Sequence, residues 1–594
     1  MIAGRHAPKG SLAILESDTG TGKTEAGFYH FAHLLGLGLV DACFLGLPTR
    51  TSGAQIHKRI VKAVDAVFGP GRVPVTMAIP GYMTSADAPE ALIKSDFGFD
   101  RDSAVDRNWH AETSKRYLAS RVAVGTVDQV LLAALNSKHS TMRWSSFARS
   151  LLVIDEVHAS DAYMGRILAD VVEQHVARGG HVLLMSATLG SGAAHAYLRR
   201  AGAKSSPPPV YADAVNLPYP CIRHVIRGQE AMTALPSSGY RKTVSIETSS
   251  KIDNAAAVAR MAAGHVRAGA KVLVIRNTVK ECVAVQRQLE GMLPQENILR
   301  TSSGACVPHH GRFAAEDRLE IDRAIEAAFG KGSARIPIVA VGTQTIEQSL
   351  DIDADIIITD ICPIDVLLQR LGRLHRHKGI LRPPRYEVPR AIVLKPEHDI
   401  EDFAAKAGHG IGKERAYEHV AHAILTLEEI ERRGHVTIPD DNRDLVEACT
   451  HPERVESLVA ARPALKKADE SAVGADLARM TTAQMNMRPR NWRYGDKVLA
   501  APAGVSSRLG DPGIRVNFVG EVVSPMGNAI SGISIPSFLC RSSEGLIDIP
   551  KGLVHTSKEE IGFHVGSERY SYGRHGLEKT DARCQPAGHK ADPG

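Results

Sequence analysis

Short aliphatic runs separated by amphipathic stretches organise most of this chain. Leu12-Ala13-Ile14-Leu15, Ala42-Cys43-Phe44-Leu45, Val122-Ala123-Val124, Leu151-Leu152-Val153-Ile154 and Val182-Leu183-Leu184-Met185 show no polar alternation. A run apolar at every position is covered on both faces, so these segments predict parallel strands of a helix-flanked sheet. The pattern restarts with Val272-Leu273-Val274-Ile275, Ile338-Val339-Ala340-Val341, Ile356-Ile357-Ile358 and Ala391-Ile392-Val393-Leu394, which predicts a second such domain. Between the two series, Ser205-Ser206-Pro207-Pro208-Pro209 can continue neither a helix nor a central strand, and the interdomain connection is placed between there and Ser250. Charged and Ala/Leu-rich segments from Asp402 to Leu477 predict helices, and the Gly, Pro, Ser and Val content from Asn491 onward predicts a small β-containing domain. The expected fold class is therefore α/β, with two tandem parallel-sheet domains, a helical linker and a small C-terminal domain, over 1–249, 250–398, 399–484 and 485–594.

Composition narrows the class without changing this picture. A chain of 594 residues is too long for one hydrophobic core, and 43% apolar with 23% charged residues excludes a disordered or fibrous protein. No apolar run reaches membrane-spanning length and Met1 to His6 lack the apolar region of a signal peptide, so the expected location is cytoplasmic, with no membrane partner. The eight cysteines form no CxxC pair that would seed a zinc or redox site. A net charge of +6 is compatible with a polyanionic partner but too mild, over this length, to identify one.

The chemistry lies in the segments that follow the strands. Leu12 to Leu15 runs into Ser17-Asp18-Thr19-Gly20-Thr21-Gly22-Lys23-Thr24 and then an Ala-rich amphipathic stretch, the strand, loop and helix that a phosphate-binding loop requires. Gly20 and Gly22 let backbone N–H groups close on phosphate oxygens, Lys23 reaches the β and γ phosphates of ATP, and the Thr24 hydroxyl can ligate Mg²⁺. Leu151 to Ile154 ends in Asp155-Glu156-Val157-His158, two acids at the carboxyl end of a buried strand. Asp155 suits Mg²⁺, and Glu156 suits the water that attacks the γ-phosphate. His158 with Ser186 and Thr188 of Ser186-Ala187-Thr188 are candidates for coupling hydrolysis to movement.

In the second half, Gly342-Thr343-Gln344-Thr345-Ile346-Glu347-Gln348-Ser349-Leu350-Asp351-Ile352-Asp353 follows a buried strand, with Asp351 a nucleotide candidate. Gln369-Arg370-Leu371-Gly372-Arg373-Leu374-His375-Arg376 is expected on a helix, where Arg373 and Arg376, three apart, would share a face and serve with Gln369 as catalytic candidates at a γ-phosphate. Alone, such an arginine-rich helix is more often solvated or bound to nucleic-acid phosphate. Loops at strand ends are the strand-gripping candidates: Pro48-Thr49-Arg50, Gly125-Thr126 with Asp128-Gln129, Asn277-Thr278 and Gly342-Thr343-Gln344.

Taken in order, these motifs resemble those of superfamily 2 helicases built on two RecA-like domains. Val124-Gly125-Thr126-Val127-Asp128-Gln129-Val130-Leu131-Leu132, Asp155 to Met164 and Ile346 to Asp353 are similar to the helicase of type I CRISPR systems, subtype I-E above all. Lys138-His139, Arg143-Trp144 and Pro308 to Phe313 also fit, and Arg508-Leu509-Gly510-Asp511-Pro512 fits faintly. The resemblance implies ATP-driven 3′ to 5′ translocation on single-stranded DNA and recruitment to an RNA-guided surveillance complex. It also implies an N-terminal HD nuclease domain, for which no room precedes the phosphate loop, and a glutamine motif upstream of that loop, which is missing. His398-Asp399 lacks the further ligands of such a nuclease and is read as chance. The expectation is either a separate nuclease chain as partner or, preferred, a shortened copy. The alternatives are another superfamily 2 motor acting on RNA or in repair, and a clamp that binds nucleic acid without turnover. Retention of Lys23, Glu156, Arg373 and Arg376 argues against the clamp.

Overall fold

The computed structural model describes residues 10–18, 20–48, 52–70, 72–73, 75–78, 118, 120–137, 139–159, 161–204, 207–236, 241–347, 350–398, 408–490, 505–509, 513–540, 546–557 and 559–580, with backbone alone for 52–56, 58 and 159. Thr19, Thr49, Arg50, Lys138, Gln348, Ser349, Asp399 and Gly510 to Pro512 lie outside this set. The chain divides into two compact units, Met1–Lys242 with Thr437–Leu509, and Thr243–Val436 with Gly510–Gly594.

The first unit holds an eight-stranded sheet in the order Val75–Ala78, Val122–Thr126, Ala42–Leu47, Ser150–Ile154, His181–Ser186, Ser11–Glu16, Cys221–Ile226, Gln229–Ala234. The first six strands are parallel, and the last two form an antiparallel hairpin at the edge. Ser11–Glu16 shows why its sequence reads as an unbroken apolar run. Ala13 and Leu15 face a layer with Phe28, Phe31 and Leu34 of helix Lys23–Gly36. Leu12 and Ile14 face the opposite layer, with Tyr163, Ile167, Leu168 and Val171 of helix Ala162–Ala177. Each such side chain fully buried contributes about 1.5–3 kcal/mol of transfer free energy, so both layers are needed to hold this strand in the sheet centre. The hairpin falls in the stretch expected to be interdomain connection. Its exposed strand Gln229–Ala234 has no apolar pattern to announce it.

The second unit holds a sheet in the order Ile338–Gly342, Lys271–Ile275, Ile356–Asp360, Arg390–Leu394, Lys242–Ser249, His435–Ile438, of which the first five strands are parallel. All four predicted strands are present. The helices expected between Asp402 and Leu477 include Val420–Arg433, Asn442–Thr450, Pro452–Ala461 and Lys466–Asn486. Beyond residue 510 come a three-stranded sheet, Ala529–Ile535, Ile514–Val523 and Leu546–Pro550, and a four-stranded antiparallel sheet, His555–Thr556, Glu560–Val565, Glu568–Gly573 and Gly576–Thr580. Val516, Phe563 and Tyr572 of these sheets share a core with Val307, Phe313 and Ile321. Buried Asp317 seals this junction by accepting hydrogen bonds from the Tyr572 hydroxyl (2.5 Å), Ser524 Oγ (2.8 Å) and Asn528 Nδ2 (2.8 Å).

Candidate nucleotide and nucleic-acid site

Strand Ser11–Glu16 delivers the chain to the phosphate loop and helix Lys23–Gly36 carries it away. Gly20 and Gly22 take φ of 79° and 90°, and an added β-carbon would meet nothing at Gly20 and only Glu25 Oε2, at 3.8 Å, at Gly22. Conformation, not space, selects glycine here. The loop is braced from within, Thr21 Oγ1 donating to the Asp18 carbonyl (2.8 Å) and lying 2.7 Å from Ser17 Oγ. Lys23 is 8% exposed; its Nζ donates to the Ser17 carbonyl (3.0 Å) and lies 3.8 Å from Glu156 Oε1. Thr24 follows it in the first helical turn.

The two acids sit at the end of strand Ser150–Ile154. Asp155 keeps part of its side chain open to the site but is otherwise enclosed by protein, and this burial, with the neighbouring Glu156 carboxylate, pushes its carboxyl up to about 7 against the pull of Lys23. Glu156 adopts φ 50°, a left-handed conformation that costs a non-glycine residue roughly 1 kcal/mol or more. Its amide donates to Asp155 Oδ1 (3.0 Å) and its carboxylate lies 3.4 Å from His158 Nδ1. A carboxyl held protonated by want of a cation is a fitting partner for Mg²⁺, with the Thr24 hydroxyl as second donor. Among the described residues, no group of three or more His, Cys, Asp or Glu side chains is placed to hold a metal by itself.

Because Ser150–Ile154 and His181–Ser186 are parallel neighbours, their carboxyl ends lie side by side. His158 Nδ1 is thereby 2.8 Å from Ser186 Oγ, which also accepts from the Thr188 amide (3.1 Å), so the three coupling candidates meet. Sequence reasoning missed a further tie. Arg443, on helix Asn442–Thr450, reaches Glu16 Oε2 (2.5 Å), the residue before the phosphate loop, and the Leu189 carbonyl (3.2 Å), just past Thr188. Nothing in the local pattern around Arg443 distinguishes it from a solvated helix charge.

In the second unit the structure corrects one premise. Helix Ile364–Leu371 stops at Gly372, so Arg373 and Arg376 lie in the turns beyond it and share no helical face. Arg373 is buried and donates to the carbonyls of Leu350 (2.8 Å) and Glu347 (2.5 Å). Arg376 is partly exposed and pairs through Nε with Asp351 Oδ1 (2.8 Å), which His377 also reaches at 3.0 Å. The arginine that sequence reasoning passed over is Arg370. Fully buried, it donates to Glu347 Oε1 (2.7 Å), Thr359 Oγ1 (2.6 Å), Asn277 Oδ1 (3.0 Å) and the Tyr417 hydroxyl (3.0 Å). Gln369 is half-buried on the same helix.

Several of the strand-gripping candidates are bonded within their own unit. Asn277 is buried, its amide donates to Asp360 and its side chain to the Ile361 carbonyl, and its own carbonyl accepts from Gln344 Nε2 (2.8 Å). Thr278 caps helix Val279–Glu290, Thr343 is buried, and a β-carbon on Gly342 would lie 2.8 Å from the His309 carbonyl. In the first unit, Gly125 and Thr126 close strand Val122–Thr126 beside Gly46 and Leu47, Thr126 and Gln129 are buried, and the Asp128 carboxylate accepts from Ser507 and Arg508.

Two family models match the chain: DEAD/DEAH box helicase over residues 3–196, and CRISPR-associated nuclease/helicase Cas3, C-terminal, over residues 268–379. Two parallel-sheet domains carrying a phosphate loop, an acidic strand end and an arginine-rich segment, in this order, agree with the DEAD/DEAH box helicase model that matches the first of them. With the match over the second, the chain carries a Cas3-like helicase region. It is 28% identical over 450 residues to the CRISPR-associated endonuclease/helicase Cas3 of Escherichia coli K12, covering 74% of this chain and 48% of that protein. It is 30% identical over 409 residues to the Streptococcus thermophilus nuclease/helicase, covering 64% and 41%. The chain thus spans about half the length of the curated relatives it matches. A structure described as T. fusca Cas3 with ATP aligns over 96% of this chain and 69% of its own, with TM-score 0.72 and 22% identity. A chain in a structure described as a CRISPR RNA-guided surveillance complex, pre-nicking, aligns at TM-score 0.66 and 23% identity over 96% and 68%. These place the fold as two RecA-like domains with a C-terminal region. No helix among the described residues is long and apolar enough to cross a membrane.

Proposed function

We propose that this chain hydrolyses ATP with Mg²⁺ and uses the cycle to translocate 3′ to 5′ along single-stranded DNA in the cytoplasm, serving type I CRISPR interference at DNA opened by an RNA-guided surveillance complex. The carrying observation is the set Lys23, Asp155 and Glu156, in which the lysine Nζ is 3.8 Å from one acid while the other holds its proton to about 7. In this reading Lys23 exchanges the Ser17 carbonyl for phosphate oxygens, and Thr24 with Asp155 would hold Mg²⁺, which would supply charge neutralisation. Glu156 takes the proton of the attacking water, and its contacts to Lys23 and His158 keep it aimed. Arg376 is the arginine that answers developing charge on the γ-phosphate. Arg373, bonded to the Leu350 and Glu347 carbonyls, holds the segment that presents it, and Gln369 on the preceding helix is a further catalytic candidate. His158, Ser186 and Thr188 relay the change between the acid and the adjoining strand end.

The test is ATP turnover with single-stranded DNA, duplex DNA or RNA, and strand displacement on duplexes with a 3′ or a 5′ overhang. Stimulation by single-stranded DNA and displacement from a 3′ overhang are expected. Stimulation by RNA alone would move the chain to another helicase function, and DNA binding with no turnover would make it a clamp.

A further inference from the structure

Asp128 poses an electrostatic problem for the reading above. It sits at the mouth of the strand-end loops assigned to the nucleic-acid backbone, where a bare carboxylate would repel phosphate. The structure supplies its partner from far along the chain. Arg508 donates from Nε to Asp128 Oδ1 (2.9 Å) and from Nη2 to Oδ2 (3.1 Å), a two-pronged pairing, and from Nη2 also to the Pro48 carbonyl (2.8 Å). Ser507 Oγ adds a bond to Asp128 Oδ1 (2.8 Å). The segment leading into Arg508 is fastened again two residues earlier, because the Tyr163 hydroxyl donates to the Ser506 carbonyl (2.7 Å) and itself accepts from Asn486 Nδ2 (3.1 Å). Tyr163 heads helix Ala162–Ala177, which Asp161 caps by accepting from the Met164 amide (2.8 Å).

Arg508 nevertheless remains 48% exposed. Three fixed bonds on a half-exposed guanidinium leave it little rotamer freedom, and fixing the plane of an arginine in advance lowers the entropic cost of binding an oxyanion. An exposed ion pair of this kind contributes little to folding by itself, which leaves the fastening of the segment that leads into it unexplained by stability.

We propose that Arg508 is a backbone-phosphate contact of the single-stranded DNA track, and that Asp128 serves that track by aiming Arg508 and makes no contact with the strand. The inference rests on the single-stranded DNA reading above. It joins residues from four separated parts of the chain, Pro48, Asp128, Tyr163 and Arg508, in one device.

Fluorescence anisotropy with an oligothymidylate across a salt series tests it. Arg508→Ala should bind several-fold more weakly at low salt, with the slope of log affinity on log salt shallower by about 0.7, the share of one single-strand phosphate contact. Arg508→Lys should keep most of the slope while losing part of the affinity, since it retains the charge without the fork. Asp128→Asn separates aiming from mere charge. Removing a negative charge beside a polyanion strengthens binding unless the carboxylate positions the arginine, so weaker binding by Asp128→Asn is expected. Unchanged or tighter binding by Arg508→Ala, or tighter binding by Asp128→Asn, overturns the inference while leaving the proposed function intact. Failure of the wild-type chain to bind the oligothymidylate overturns the proposed function itself.

Discussion

At the carboxyl end of strand Ser150–Ile154, Asp155 is pushed up to about 7 and Lys23 is tied to the carbonyl of its own loop. At the end of strand Ile356–Asp360, by contrast, Arg276 pairs with Asp360 at 2.7 Å, both fully buried, and Arg370 spends its donors on five partners within the same unit. The two strand ends are equivalent places in similar sheets, yet one leaves its charges poorly matched and the other matches them closely. A poorly matched set gains most from a ligand, whereas a matched set gains nothing and holds shape. The first is a site and the second is its frame. At the rim of this frame Arg376 is partly open to solvent.

The widest separation between site and frame is expected among the arginines. Arg376→Ala should lower DNA-stimulated turnover by about 10³ to 10⁵, the range for arginine fingers, with melting temperature and the salt slope of DNA binding nearly unchanged. Arg370→Ala should do the reverse first, costing about 3–5 kcal/mol of stability because Glu347 is left buried without its cation. Arg373→Ala should lower both, since it holds the carbonyls of Glu347 and Leu350. Calorimetry beside steady-state turnover decides the matter. A lower melting temperature in Arg376→Ala with normal turnover at saturating DNA would return Arg376 to the frame.

Next in size, Lys23→Ala and Glu156→Gln should each lower turnover by about 10² to 10⁴ but part company in nucleotide affinity. Lys23 is proposed to hold ground-state phosphates, so its loss weakens binding. Glu156 is proposed to act on water, so its glutamine variant should retain ATP and accumulate the bound state. Equal loss of affinity, measured with a fluorescent nucleotide, contradicts the division of roles.

The same contrast explains what was legible in the sequence. Leu12 to Leu15 and Leu151 to Ile154 declare themselves because both faces of each strand are covered, and the phosphate loop because positive φ at Gly20 and Gly22 constrains the alphabet. The frame is written in long-range partners. Arg370, Arg373 and Arg376 look alike within Gln369 to Arg376, and which one is buried depends on where the helix stops and on Asn277, Glu347, Thr359 and Tyr417, none of them neighbours in sequence. Arg443 finds Glu16 and Arg508 finds Asp128 only through folding. The hairpin strand Gln229–Ala234 is exposed throughout and carries no periodic signal.

The smallest effect concerns the stability of the ligand-free protein, and it tests the mismatch directly. Asp155 holds its proton up to about 7 in the folded chain, whereas an unfolded aspartate releases it near ~3.9. Between those values unfolding releases a proton, so stability falls as pH rises through the window and is level above it. Asp155→Asn has no such proton to lose. Its melting temperature should match that of the wild type near pH 4 to 5 and exceed it at pH 8, by roughly 5 °C. Lys23, Glu156 and Arg59 act on the same group and remain in both proteins, so the difference reports the Asp155 carboxylate together with its hold on Glu156. Saturating Mg²⁺ and a non-hydrolysable ATP analogue should then raise the wild type more than the variant at pH 8, because the carboxylate acquires the cation for which burial had left it waiting. Parallel melting curves from pH 5 to 8, with or without ligand, would show that Asp155 is as well matched as Arg370 and that the two strand ends do not differ in kind.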